Sequence, residues 1–204
     1  MRVRTQDRRN AIIRAASEVF REEGFERASM AAISARVGGS KATLYGYFSS
    51  KEELFAAAMI EALRDQGEKA LKLLDPLDEN VSGVLLRFAE ALIRFFCSPS
   101  ALSSSRSAIT SGAQRKLGEV FYAQGPKYIV DSIAVYMAQM IEKGRLRSAD
   151  ARLAAIHFHG LLNAGLLTPL LMSAKPELKQ KEAAKAAVDV FMRAYGPLNG
   201  AAAA

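Results

Sequence analysis

Ser40-Lys41-Ala42-Thr43-Leu44-Tyr45-Gly46-Tyr47-Phe48-Ser49-Ser50-Lys51 holds a helix start, a chain reversal and a second helix start within twelve residues. Ser40 is placed to cap one helix and Ser49 or Ser50 the next, because a serine hydroxyl accepts from the amides of a first helical turn. Between the caps, Thr43, Tyr45 and Tyr47 supply hydroxyls, while Leu44 and Phe48 supply apolar anchors. A helix this short is unstable alone in water. Its neighbours must hold it, and its polar-aromatic face must exist to present something. Arginines crowd upstream, so the matching target is a nucleic-acid backbone.

Upstream, Arg8 to Glu23 reads as an amphipathic helix. Ile12, Ala15, Ala16, Val19 and Phe20 fall at helical spacing, and Gly24 ends it. Ser29 is placed to cap a short helix from Met30 to Val37, which Gly38-Gly39 breaks. Downstream, Lys51 to about Leu74 reads as a long connector. Its Glu52 and Glu53 suit the positive end of a helix dipole, and Asp75-Pro76 stops it. Two helices separated by Gly38-Gly39-Ser40 and preceded by a third have the order of a helix-turn-helix.

Residues 75–198 read as further helices. Val81 to Cys97 is capped by Asn80 or Ser82 and stopped by Pro99. Ala101 to Gly112 and Lys116 to Gln124 are shorter. Pro126 to Lys143 begins with proline in its first turn and ends at Gly144. Asp150 or Ser148 starts a long apolar helix to about Ser173, and Pro176 starts the last, Glu177 to Tyr195. Residues 199–204 read as a disordered tail of small residues. The expected class is all-α: a three-helix head over 1–50, a connector over 51–74 and a larger helical domain over 75–198.

Composition agrees with that class. Half of the 204 residues are apolar, there are only 6 prolines, and no run alternates Val, Ile and Thr. The net charge of +7 is uneven. Residues 1–51 carry ten Lys and Arg against five Asp and Glu, whereas 52–204 carry eighteen against sixteen. A basic head on a near-neutral body fits a polyanion-binding protein. Cys97 stands alone, which excludes an internal disulfide framework and fits a reducing compartment. The first ten residues are charged with no apolar run behind them, and no stretch reaches the ~20 apolar residues of a membrane span, so the cytoplasm is the expected location. His157 and His159 lie two apart on a helix and face different ways, so they cannot share a metal. No metal spacing, phosphate loop or nucleophile-base set points to an enzyme, and no cofactor is implied.

The head resembles the DNA-binding domain of TetR-family transcriptional regulators. The matching residues are Ile12-Ile13, Ala15-Ala16, Phe20 and Gly24-Phe25, then Ser29-Met30 and Ile33. Ser40-Lys41, Thr43-Leu44-Tyr45 and Tyr47-Phe48 follow, and then Lys51 and Leu54-Phe55. The resemblance implies that the helix from Ser40 to Tyr47 enters the major groove. Ser40, Lys41, Ala42, Thr43 and Tyr45 would then sit nearest the DNA, and Ser29, Tyr47 and Lys51 would contact phosphates. Lys41 suits guanine O6 and N7, and the Ala42 and Thr43 methyls suit thymine. Arg2, Arg4, Arg8 and Arg9 read either as a solvated tail or as a basic arm. Three positions depart from the family's pattern. Gly39 replaces an apolar residue that packs the turn, Ser34 replaces alanine, and Gly46 replaces a larger residue. Gly46 weakens the helix and implies a recognition helix that is mobile until DNA orders it.

For the body, the resemblance implies a ligand-binding and dimerisation domain. Phe88, Leu92, Phe95, Phe96, Tyr136, Met137, His157, Asn163 and Leu167 offer the aromatic, Met and sparse polar lining of a pocket for a small apolar or aromatic effector. Arg106 or Gln114 would orient a polar end. Phe158, Leu161, Leu162, Gly165, Ala184, Ala187, Val188 and Phe191 form small-residue and apolar faces suited to a homodimer through a four-helix bundle. The expected function is a repressor, released from a near-palindromic site on double-stranded DNA when ligand moves the connector. Control by a protein partner instead of a small ligand is the alternative.

Overall fold

The structure, a computed structural model, describes residues 5–110 and 115–197. Arg2, Arg4, Gln114 and the expected tail over 199–204 lie outside the described residues. Among the described residues the chain forms eleven α-helices and no strand. They are α1 Gln6–Arg27, α2 Met30–Val37, α3 Lys41–Tyr47, α4 Lys51–Leu71, α5 Val81–Phe96, α6 Pro99–Thr110, α7 Arg115–Gln124, α8 Pro126–Glu142, α9 Ala151–Asn163, α10 Leu167–Leu171 and α11 Gln180–Tyr195. No helix among the described residues is long and apolar enough to cross a membrane.

The chain divides into two compact units, residues 1–64 with 107–125 and residues 65–106 with 126–204. Helices α4 and α6 therefore each run from one unit into the other. The first unit takes in much of the expected connector and also a segment from the middle of the chain.

In the first unit, α1 is interrupted at Gly24, whose φ of 77° suits glycine, and Phe25 to Arg27 resume the helix beyond it. The core joins Ile12, Ile13, Val19 and Phe20 of α1 to Ile33 of α2, Leu44 and Phe48 around α3, and Leu54 of α4. Removing a side chain such as Leu44 from water contributes about 1.5–3 kcal/mol, far more than a seven-residue helix gains by itself. The second unit is organised by α5, α8, α9 and α11. An aromatic series runs through it, from Phe88 to Phe158 (6.3 Å), Phe191 (4.9 Å) and Tyr195 (4.8 Å).

Two elements differ from the sequence reading. Pro99 begins α6 instead of stopping α5, as its ring allows in a first turn. The long helix expected from Asp150 to Ser173 breaks at Ala164–Leu166, where Gly165 adopts φ 72° and α10 follows as a separate turn. There Gly165 O accepts from the Glu177 N–H at 3.0 Å, which ties the break to the approach of α11.

Candidate nucleic-acid interface

Local chemistry fixes α3 at both ends. The Ser40 hydroxyl accepts from the Thr43 N–H at 3.1 Å and lies 2.9 Å from the Thr43 hydroxyl. Leu44 and Phe48, buried in the head, root the helix. Ser40, Lys41, Ala42 and Tyr45 are exposed, and Thr43 and Tyr47 are half-buried. Tyr45 keeps 46% of its surface in water, and the Lys41 ammonium lies 5.9 Å from its ring centre. A cation and an aromatic hydroxyl one turn apart thus share the outward face. Past α3, the Ser50 hydroxyl accepts from Glu53 N–H at 3.1 Å. The Glu53 carboxylate reaches back to the N–H and hydroxyl of Ser49, both at 2.7 Å, so α4 starts from a doubly satisfied cap.

Ser29 caps α2 by accepting from Ala32 N–H at 3.1 Å, which leaves its own O–H proton to donate. Lys51 is placed differently from the expectation. Its ammonium donates to Phe25 O at 2.9 Å and Ala28 O at 3.2 Å, and sits 4.3 Å from the Phe25 ring centre. It is a tether across the α1–α2 junction, and a phosphate would have to compete with those carbonyls. Other head cations are similarly occupied. Arg36 pairs with Glu22 at 2.7 Å and Glu18 at 3.4 Å, which lowers the Glu22 carboxyl below its ordinary range. Arg9 lies 5.0 Å from the Phe48 ring centre, and Arg8 donates to Gly38 O. Arg8 and Arg9 are therefore head braces, not a loose arm. The sequence signal for this was missing because the partners lie far along the chain.

In the body, Phe88, Leu92, Phe95, Tyr136 and Met137 are buried, while Phe96, Asn163 and Leu167 are half-buried. The two histidines face different ways as expected, but His157, expected in the pocket lining, is the outward one. His157 is exposed, with its Nδ1 2.6 Å from the Tyr195 hydroxyl. His159 is the half-buried one, edge-on to Phe96 at 5.6 Å, and burial pushes its imidazole pKa down. The Asn163 amide donates to His159 O at 3.0 Å. Arg106 donates to the Leu170 and Leu171 carbonyls at 2.5 and 3.0 Å, so it closes the end of α10 and its guanidinium is already occupied. Tyr136 has its phenol pKa pushed up to about 12, first by burial and then by Asp78 and Asp75.

The dimer surface needs correction. Phe158, Leu162, Ala184, Ala187, Val188 and Phe191 are buried inside the protomer, where α11 packs on α5 and α9. A side chain without exposed surface contributes no area to a second copy. Leu161 and Gly165 are half-buried. The outward stripe of α9 is Leu153, Ile156 and Gly160, and that of α11 includes Ala186 and Val190.

A family model described as bacterial regulatory proteins, tetR family, matches residues 12–58, and one for the C-terminal domain of AefR-like transcriptional repressors matches residues 83–197. The chain belongs to the TetR family of transcriptional regulators. UidR of Escherichia coli (strain K12), an HTH-type transcriptional regulator, is 38% identical over 78 residues, which are 38% of this chain and 38% of UidR. The chain thus matches well under half the length of this curated relative. Among solved structures, the flavonoid-responsive regulator FrrA is similar over 95% of this chain and 100% of its own, with TM-score 0.73 and 28% identity. A TetR-family regulator from Mesorhizobium loti shares the fold, with TM-score 0.76 over 96% of this chain and 100% of its own at 24% identity. The helix-turn-helix head and helical second domain are those of a TetR regulator.

Proposed function

We propose that this TetR-family protein is a dimeric repressor that reads a near-palindromic operator with α3 and leaves it when a small apolar or aromatic ligand enters the body. The observation that carries the DNA-reading half is α3 itself. Ser40, Lys41, Ala42 and Tyr45 are presented to solvent on a helix anchored by Leu44 and Phe48. Ser29 and Tyr47 flank it with hydroxyls suited to phosphate, which would fix the register while Lys41 reads base edges.

The ligand half rests on two buried polar atoms. The Tyr136 hydroxyl and the Asn163 amide oxygen have no hydrogen-bond partner among the described residues. Buried polar atoms in native proteins are nearly always satisfied, so each is a place for a ligand or water group. Similarity to FrrA, a flavonoid-responsive regulator, makes polyhydroxylated aromatics the first compounds to try. Helices α4 and α6 each belong to both units, so displacement in the body reaches the head through continuous helix. A coupling of about 1–3 kcal/mol would change operator affinity by about 5–150-fold.

The exposed stripes of α9 and α11 are the surface proposed for the two-fold contact. Footprinting of the promoter beside the protein's own gene, with and without an aromatic panel, tests the reading. A protected near-palindrome that opens on addition of one compound is the expected result. Protection that no compound relieves would remove the ligand half, and absence of protection there and in random-sequence selection would remove the DNA half.

A further inference from the structure

Arg8, Ser34 and Gly39 form one polar assembly on the turn that leads into α3. Helix α2 ends with Gly38 N–H on Ala35 O and Gly39 N–H on Ser34 O, both at 3.2 Å, and with Gly38 left-handed at φ 70°, ψ 61°. That closure leaves the carbonyls of Val37, Gly38 and Gly39 without helical partners. Each is met by a side chain. The buried Ser34 hydroxyl donates to Gly39 O at 2.7 Å. Arg8 donates through Nη2 to Gly38 O at 3.1 Å and through Nη1 to Val37 O at 3.5 Å. A cation at the C-terminal end of α2 also suits the helix dipole. Gly39 is bare where this happens: a Cβ there would stand 2.7 Å from Arg8 Nη2.

We infer that Arg8 and Ser34 are positioning residues for DNA reading, a polar lock on the α2–α3 turn that Gly39 admits by having no side chain. The inference rests on α3 being the DNA-reading helix. It makes Arg8 act through the turn, not on a phosphate. Because the Arg8 tip can swing away, Gly39→Ala should displace the guanidinium without unfolding the head.

Amide exchange in the free full-length protein tests the lock without DNA. Arg8→Gln and Gly39→Ala should each speed exchange at positions 38 and 39 about three- to tenfold, with Ile33 inside α2 unchanged. The double variant should exchange no faster than either single one, because both remove the same contact. On a duplex selected by the wild-type protein from a random pool, Arg8→Gln should weaken binding about three- to tenfold, with Arg8→Lys recovering part of the loss. The dependence of log affinity on log salt should keep its slope. Unchanged exchange, additive effects, or a slope reduced by about 0.9, the signature of one lost phosphate contact, would each overturn the lock. If the wild-type protein selects no duplex, the DNA reading fails while the exchange measurement still decides the lock.

Discussion

The backbone N–H of Thr5 donates to the hydroxyl of Tyr47 at 3.1 Å, across 42 positions of sequence. Thr5 is the N-cap of α1, where its own hydroxyl accepts from Arg8 N–H at 3.3 Å, and Tyr47 is the last residue of α3. One hydrogen bond therefore ties the start of α1 to the end of α3. Tyr47 accepts with its oxygen, so its O–H proton can still be given to a phosphate.

Tyr47→Phe keeps the ring and removes both roles. Affinity should fall about three- to tenfold, equally for a selected duplex and a scrambled one. The salt slope should stay the same, because a neutral hydroxyl displaces no counterion. Anisotropy titrations of both duplexes at several salt concentrations check this. A loss confined to the selected duplex would mean that Tyr47 reads bases.

Gly46→Ala should stabilise the protein. A Cβ at Gly46 meets nothing within 4 Å, and the site lies inside α3. The expected gain is about 1 kcal/mol, or about 2–4 °C in Tm for a chain of this size. Slower amide exchange in α3 than in wild type would show that Gly46 had kept the helix mobile. An unchanged Tm would refute the propensity argument.

Lys51→Met keeps the aliphatic stem and deletes the ammonium. Phe25 O and Ala28 O lose a charged donor, and the expected cost is about 1–3 kcal/mol, read in chemical denaturation. An undiminished stability together with a lower salt slope would place the ammonium on DNA instead.

His159 gives stability a pH dependence. Burial lowers its pKa from the ordinary 6.5, so between 6.5 and the depressed value the unfolded chain binds a proton that the folded chain refuses. Stability is full above that window, falls as pH drops through it and levels off below it. His159→Gln should flatten this part of the profile. A profile unaltered by the substitution would assign the dependence to other groups.

Ile156→Asp places a charge on the outward stripe of α9, where Ile156 is 47% exposed. If the proposed two-fold contact lies here, sedimentation should show a dimer for the wild type and monomers for the variant, with near-wild-type far-UV circular dichroism. A stable dimer of the variant would move the contact elsewhere.

Much of the head was legible because its signals are local. Ser29 and Ser40 declare helix starts, and Gly24 and Gly38 declare ends, since hydroxyl caps and left-handed turns act within a few residues. The apolar spacing of Ile12, Val19 and Phe20 likewise names their buried face. Lys51, Arg8 and Arg106 were harder, because the carbonyls they hold lie 23 or more positions away and leave no periodic trace. The body shows the same limit. Period told that His157 and His159 face different ways, but not which faced inward. Ala184, Val188 and Phe191 looked like a surface for a second copy because small and apolar residues serve equally for packing inside one protomer.

In the proposed function α3 reads DNA through Lys41. The direct measurement is the affinity of wild type and Lys41→Ala for a selected duplex and for single-base variants of it, across a range of salt. Lys41→Ala should lose about 1–3 kcal/mol on the selected duplex and tolerate substitution at one base pair per half-site that the wild type rejects. Equal losses on selected and scrambled duplexes, with base preference intact, would mean that Lys41 does not read bases.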